Sequence, residues 1–301
     1  KIRRLVEEKG NPKRGREIYL NARLVACASC HRLEGVGGAV GPDLTRIWDT
    51  MSLDKILESI LDPSREIKEG FQTYRLTTTE EQVFTGLKVL ENGREVVLRE
   101  STGRDIRISR EQIESLTPLK VSLMPDNAVA LLSLDQFIDL LAFLKNRQEQ
   151  ESLRGMVVEV QASPAIQPSA DHRPPALADS SWRLVAAEAN GELALEALLP
   201  EPRSVAYLRV YVHSPKDQTV QLIAQGIGLT RIWLEQKIVV QEAAGQPLRQ
   251  PLALKAGWNG LILEVRRDQQ PPRLTLQVQG ENLRVASRPL DLPAAPSPSG
   301  R

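Results

Sequence analysis

At 301 residues the chain is long enough for two domains, and its 41% apolar content supports packed cores. A formal net charge of +1 gives no global case for binding nucleic acid or an anionic membrane, and no run of about 18 apolar residues is present to span a bilayer. The chain opens at Lys1 rather than Met, as expected of a processed product or a fragment whose signal peptide is missing.

In chain order, Asn11-Pro12 reads as N-cap and first position of a helix, since proline there gives up only a donor that had no partner. Ile18 and Tyr19 supply its apolar face. Cys27-Ala28-Ser29-Cys30-His31 follows, and then Gly35-Val36-Gly37-Gly38-Ala39-Val40-Gly41-Pro42-Asp43-Leu44, too glycine-rich for a helix and suited to close backbone approach to a flat ligand. Ser52 caps a helix with Leu53, Ile56, Leu57, Ile60 and Leu61 on one face, and Asp62-Pro63 stops it. From 71 to 117 the period changes to two, predicting a small barrel-like insert of about five strands with a bend at Gly86. Ser133-Leu134-Asp135-Gln136 is a capping box that opens a helix through Phe137, Ile138, Leu141 and Leu144. Residues 151–180, with Pro164, Pro168, Pro174 and Pro175, read as a linker. Strand-like alternation over 181–287 predicts a β-sandwich, and 288–301 a disordered tail.

The chemistry is concentrated in Cys27 to His31, which holds both cysteines of the chain. Two thiols two residues apart with histidine next form a c-type haem attachment signature: the thiols add to the haem vinyl groups, and His31 becomes the proximal ligand. A zinc site needs four ligands, but there is no third cysteine and His172 and His213 lie far off in sequence. A thioredoxin-like dithiol needs a βαβ setting and leaves His31 unexplained. Of three methionines, Met124, on an irregular segment before the last helix, is the expected sixth ligand; Met51 and an open iron site are the alternatives. The stretch Lys1–Arg32 carries nine Lys or Arg against three Glu, read either as a solvated helix face or as a rim for an acidic redox partner.

Residues 11–146 resemble the class I cytochrome c fold, in the form of the haem-binding domain of multidomain exported proteins of planctomycetes and verrucomicrobia. The resemblance rests on Gly15-Arg16-Glu17-Ile18-Tyr19, the Cys27–His31 motif, Gly41-Pro42-Asp43-Leu44-Thr45, Ile60-Leu61-Asp62-Pro63-Ser64, Ser122-Leu123-Met124-Pro125 and Asp139-Leu140-Leu141-Ala142-Phe143-Leu144. It implies that the Pro42 carbonyl orients His31 and that Leu44 packs on the haem; Trp48 is either a donor to a haem propionate or a core aromatic. The stretches Val210 to Ser214, Arg231 to Leu234 and Leu254 to Leu261 resemble, more weakly, a galactose-binding-like jelly roll, in which Trp233 and Trp258 are either sugar platforms or core.

The expected architecture is therefore multidomain: an all-α cytochrome c fold over 1–150 with a small β insert, then an all-β sandwich. The expected function is single-electron transfer by one covalent haem c, in a periplasmic or extracellular protein that docks redox partners or a glycan through its sandwich. It would act as a carrier and not an enzyme, as a subunit or fragment of a larger dehydrogenase system. An open-site haem enzyme of peroxidase-like or gas-binding type, and a carbohydrate-binding module with an accessory haem domain, are the rival readings.

Overall fold

The computed structural model describes residues 2–21, 24–25, 27–167, 174, 181–188, 190–243, 247–287 and 289. His172 and the expected tail, apart from Pro289, lie outside them. Helices α1 (Ile2–Lys9), α2 (Pro12–Leu20), α3 (Cys27–Cys30), α4 (Ile47–Thr50) and α5 (Leu53–Leu61) come first, then strands β1 (Thr73–Thr78), β2 (Val83–Glu91), β3 (Glu95–Arg99), β4 (Asp105–Ser109) and β5 (Ile113–Pro118). Helices α6 (Leu134–Lys145) and α7 (Arg147–Glu151) precede β6 (Glu159–Ala162), β7 (Arg183–Ala186), β8 (Leu193–Ala194), β9 (Val205–Ser214), β10 (Gln218–Ile227) and β11 (Leu229–Leu234). The remaining strands are β12 (Lys237–Val240), β13 (Leu248–Leu254), β14 (Gly257–Arg266), β15 (Arg273–Gln279) and β16 (Arg284–Ala286).

The all-α cytochrome c fold expected over 1–150 does not form. Strand makes up 38% of the structure against 21% for helix, in three sheets, and the class is predominantly β-sandwich. The physical reason is the shortness of the helices. The longest, α6, has 12 residues, and α3 and α4 have four each, so they bury their apolar faces partly on strands instead of closing a bundle of their own.

Local signals did set the helix ends. Asn11 Oδ1 accepts from the amides of Lys13 and Arg14 at 3.1 Å, the Ser52 side chain accepts from Lys55 N–H, and Ser133 and Gln136 form a reciprocal capping box. Helices α2 and α6 cross in backbone contact, because a Cβ on Gly15 would lie 2.0 Å from the Asp139 carbonyl oxygen and 2.6 Å from Phe143 Cβ. The crossing is tied by Asp139, nearly buried, which accepts from Asn11 N–H at 2.7 Å and Arg14 Nε at 2.8 Å. Tyr19 packs its ring on Phe143.

In the insert the strand order is β4-β3-β2-β1-β5. A three-residue 3₁₀ turn, Arg110–Gln112, joins the two edge strands, so the sheet curls until its edges meet there. Leu76, Val96, Leu98 and Ile108 form its small core. In the sandwich, β13-β10-β15-β8 faces the larger sheet β12-β11-β14-β9-β6-β7, with β16 beside β9. Alternate residues point inward: Val220, Leu222 and Ala224 on β10, and Leu208, Val210 and Val212 on β9.

Of the expected linker 151–180, residues 168–173 and 175–180 lie outside the described ones, and 151–167 are part of the packed structure. Strand β6 is part of the large sheet, and Ile166 exchanges backbone hydrogen bonds with Val205 at 2.8 and 3.0 Å. Gly155, at φ +73°, lets the chain press on the Val278 carbonyl, and the Val278 amide donates back to Gly155 at 2.7 Å. One buried cluster runs from Val6 through Leu141 and Leu153 to Val285.

Two outcomes follow from this packing. Gly15→Ala should cost about 1–3 kcal/mol by overpacking the helix crossing, measured by urea unfolding. Gly93→Ala, where a Cβ meets nothing within 4 Å, should leave the midpoint unmoved. A chain cut at a specific protease site introduced within 168–180 should still elute as one particle on size exclusion, because β6 on one side of the cut pairs with β9 on the other; halves that part in native buffer would contradict the shared core.

Candidate functional site

The single turn of α3 carries Cys27 and Cys30, and the His31 amide closes it by donating to the Cys27 carbonyl at 2.7 Å. The following loop folds back on that turn. Gly38 N–H donates to Ala28, and Val40 and Gly41 N–H both donate to Cys30, at 2.8–3.0 Å. Close approach is possible only without side chains: a Cβ on Gly38 would sit 1.9 Å from the Ser29 carbonyl oxygen, and one on Gly41 would sit 2.4 Å from His31 Cε1. The imidazole therefore lies against the Gly41 backbone.

His31 Nδ1 lies 2.8 Å from the Pro42 carbonyl oxygen, which can only accept, so Nδ1 carries the proton and Nε2 presents its lone pair. Burial pulls the His31 pKa down, against the Pro42 hydrogen bond, which supports the neutral ring. Tyr19 Oη donates to the His31 carbonyl at 3.0 Å and ties the site to α2. Both cysteines are free. Burial, followed by the neighbouring Cys30, pushes the Cys27 thiol up to about 12, and burial also raises Cys30. A redox dithiol needs the opposite, a thiolate favoured near neutral pH, so the dithiol reading loses ground.

On the elements that follow the motif, Leu44, Ile47, Trp48, Met51, Leu57 and Ile60 are half-buried and pack on the main core. The Trp48 indole N–H is buried without an acceptor among the described residues, and Lys145 Nζ lies 5.9 Å from the indole centroid. The structure thus brings together Cys27, Cys30, His31 and Pro42, with Leu44 and Trp48 on core-facing elements that follow. The Met124 amide donates to Ser122 Oγ at 3.1 Å and the Ser122 amide donates to Ser64 Oγ at 3.2 Å, which ties its segment to the stretch after α5. Met51 packs against the main core, as Trp48 does. Among the described residues no group of three or more His, Cys, Asp and Glu side chains is placed to hold a metal ion, so a bare-metal site has no ligand set there.

In the sandwich, Trp233 is 3% exposed and packs with Tyr207, Trp182 and Val205, so it offers no platform to a sugar. Trp258 is half-buried, its ring edge-on to His213 at 5.2 Å. Sequence reasoning missed Arg99 and Arg32. Arg99, 1% exposed on β3, makes a two-pronged pair with Asp105 at 2.7 and 2.9 Å and donates to the Ala39 carbonyl at 3.2 Å, docking the insert on the loop after His31. An arginine amid the apolar run of β3, with an aspartate six residues on, was the available signal.

No family model and no curated protein matches the chain. Solved structures give distant likenesses: a β-glucosidase from Kluyveromyces marxianus (10% identity, TM-score 0.29, over 40% of this chain and 16% of that one). A family 35 carbohydrate-binding module from an environmental isolate gives 17% identity and a TM-score of 0.22 over 28% of this chain and 72% of that one. An anti-sigma factor domain-containing protein gives 10% and 0.30 over 71% and 76%. At these TM-scores the likenesses carry no argument. The chain spans 16% of the β-glucosidase's length. The β-rich structure overturns the resemblance to class I cytochrome c, of which only the cysteine pair and the histidine after it remain, while the expected β-sandwich is compatible with it. No described helix is long and apolar enough to cross a membrane.

Arg99→Ala should destabilise the chain by about 3 kcal/mol, the low end for breaking a buried pair because Asp105 keeps part of its surface in water. Urea unfolding reads it, and Arg107→Ala, on an exposed pair with Glu95, should cost under about 1 kcal/mol.

Proposed function

We propose that the chain carries one haem, bonded covalently through Cys27 and Cys30 and ligated by His31, and that it passes single electrons between protein partners. The observation that carries this reading is the fixed imidazole: Pro42 holds the proton on Nδ1, Gly41 gives the ring a flat bed, and Nε2 is left as a ligand directly after the two thiols. Two further features suit the group: the elements that follow the motif carry half-buried apolar side chains, among them Leu44, Ile47 and Met51, and the buried Trp48 N–H has no acceptor among the described residues and could serve a carboxylate. Bound there, the group supplies an iron that changes valence by one electron.

The chain's own residues bind and tune. Cys27 and Cys30 fix the position, His31 donates its lone pair, and Pro42 sets its orientation and basicity. The basic stretch through Lys13, Arg14 and Arg16 suits an acidic redox partner. Thioether attachment places such a protein outside the cytoplasm. Met124 is the proposed sixth ligand, with Met51 its rival.

Protein expressed with a thioether-forming maturation system should be coloured, and acid–acetone extraction of the denatured chain should leave the colour on the polypeptide. Cys27→Ala with Cys30→Ala should lose it. Met124→Ala should keep the attachment but lose the sulfur-to-iron charge-transfer band at the red end and admit carbon monoxide to the ferrous form. The same losses from Met51→Ala instead would reassign the ligand, and a chain matured under these conditions without haem would end the proposal.

A further inference from the structure

Arg32, the residue after His31, is 9% exposed, and its buried Nε has no hydrogen-bond partner among the described residues. A buried guanidinium without an anion is expensive, and proteins pair such groups or bind something to them. The setting makes the debt larger. The loop of Arg32 is stitched to the last strand of the sandwich, where Val36 bridges Val285 and the Val285 amide donates to Gly35.

On that strand Arg284 stands directly opposite His213 of β9, and His213 directly opposite Trp258 of β14, so the three side chains form a row on one face of the large sheet. It is the outer face, because the neighbours Val212 and Val285 point into the sandwich core. His213 Nδ1 is also buried without a hydrogen-bond partner among the described residues. Burial, then Arg284 and Arg32, disfavour its charge, which brings all three groups into one neighbourhood. The carboxylate acting on Arg32 is Asp43, which is exposed and already accepts from Thr45 N–H at 2.8 Å.

We propose that Arg32, Arg284 and His213 form a binding site for a small oxyanion of the phosphate class, seated where the loop after His31 meets the outer face of the large sheet. Two forked guanidiniums and an imidazole match the several acceptor oxygens of such an ion, and neutralisation of Arg32 against Arg284 would clamp the loop to the sandwich. The site stands on side chains apart from the thiols and Nε2, so it does not depend on the haem.

Calorimetric titration of the full chain with sodium phosphate, at ionic strength fixed with sodium chloride, tests it. Saturable one-to-one binding is expected, weakened about tenfold or more in Arg32→Gln and in Arg284→Gln, the loss of one charge-assisted hydrogen bond. Lys237→Gln, exposed on β12, should bind as the parent does. Should Arg32→Gln fail to fold, Arg284→Gln, at a half-buried position, carries the comparison. Absence of saturable heat, or equal binding by a folded Arg284→Gln variant, overturns the site. Binding seen only after Cys27→Ala with Cys30→Ala would mean that a carboxylate of the haem already fills it, which overturns a free-ion site.

Discussion

The loop from His31 to Leu44 contains four glycines and little that could hold its own shape, and every part of the structure converges on it. Glycine loses more backbone freedom on folding than any other residue, so such a loop stays in one conformation only when it is fixed from outside. Three outside ties do that: the Cys30 carbonyl accepts from the Val40 and Gly41 amides, Arg99 reaches in from the insert to Ala39, and β16 bridges Val36; within the loop the Pro42 carbonyl accepts from His31 Nδ1–H and the Arg32 carbonyl from the Leu44 amide. Remove the side-chain freedom of the glycines and the ties cannot form, since Gly37, Gly38 and Gly41 each lie against backbone or imidazole at distances no Cβ allows.

That dependence explains why the chain has one continuous core instead of two. The helices are too short to bury Leu140, Leu141 and Phe143 among themselves, and the sandwich lends them Val157, Val160 and Leu208 in the same cluster. Small domains bury a smaller fraction of their surface than large ones, so sharing a core is worth most to the helical part. Two smaller clusters stand beside that core, that of the insert, which the buried Arg99 anchors to the loop, and that of Trp182, Val205, Tyr207 and Trp233 in the sandwich.

Local signals were legible where a side chain speaks to its own backbone: the caps at Asn11, Ser52 and Ser133, the stop at Asp62-Pro63 and the alternation of β9 and β10 all appear at their positions. The organisation between elements was not legible. Strand β6, four residues reading Glu-Val-Gln-Ala, lies just before Pro164, and its proline-rich sequel hides it; its pairing with β7 and with Arg209 and Leu208 of β9 identifies it as sheet. The expectation of an all-α first half failed because the fragments behind it fix the ends of short helices and not their packing: α3 and α4 have four residues each, and the helical side chains join a core shared with the strands. Of the two readings of Trp233 the structure takes the core one: an aromatic in a strand reads alike whether it faces solvent or, as here, Tyr207 and Trp182.

His31 and Arg32 show how one peptide unit can serve two sites. Adjacent side chains on an irregular loop point apart, and here they meet different problems. The imidazole is neutral and satisfied at one nitrogen, so its burial is cheap and leaves a lone pair to spend. The guanidinium beside it cannot lose its charge and has no partner at Nε, so its burial stays costly until an anion arrives. Because the same backbone carries both, whatever fixes Arg32 against Arg284 also fixes the carbonyl that holds Leu44 and the loop that brings Pro42 to His31. Charge neutralisation at the seam and orientation of the ligand nitrogen are therefore coupled through a few covalent bonds, without any need for a longer path through the fold.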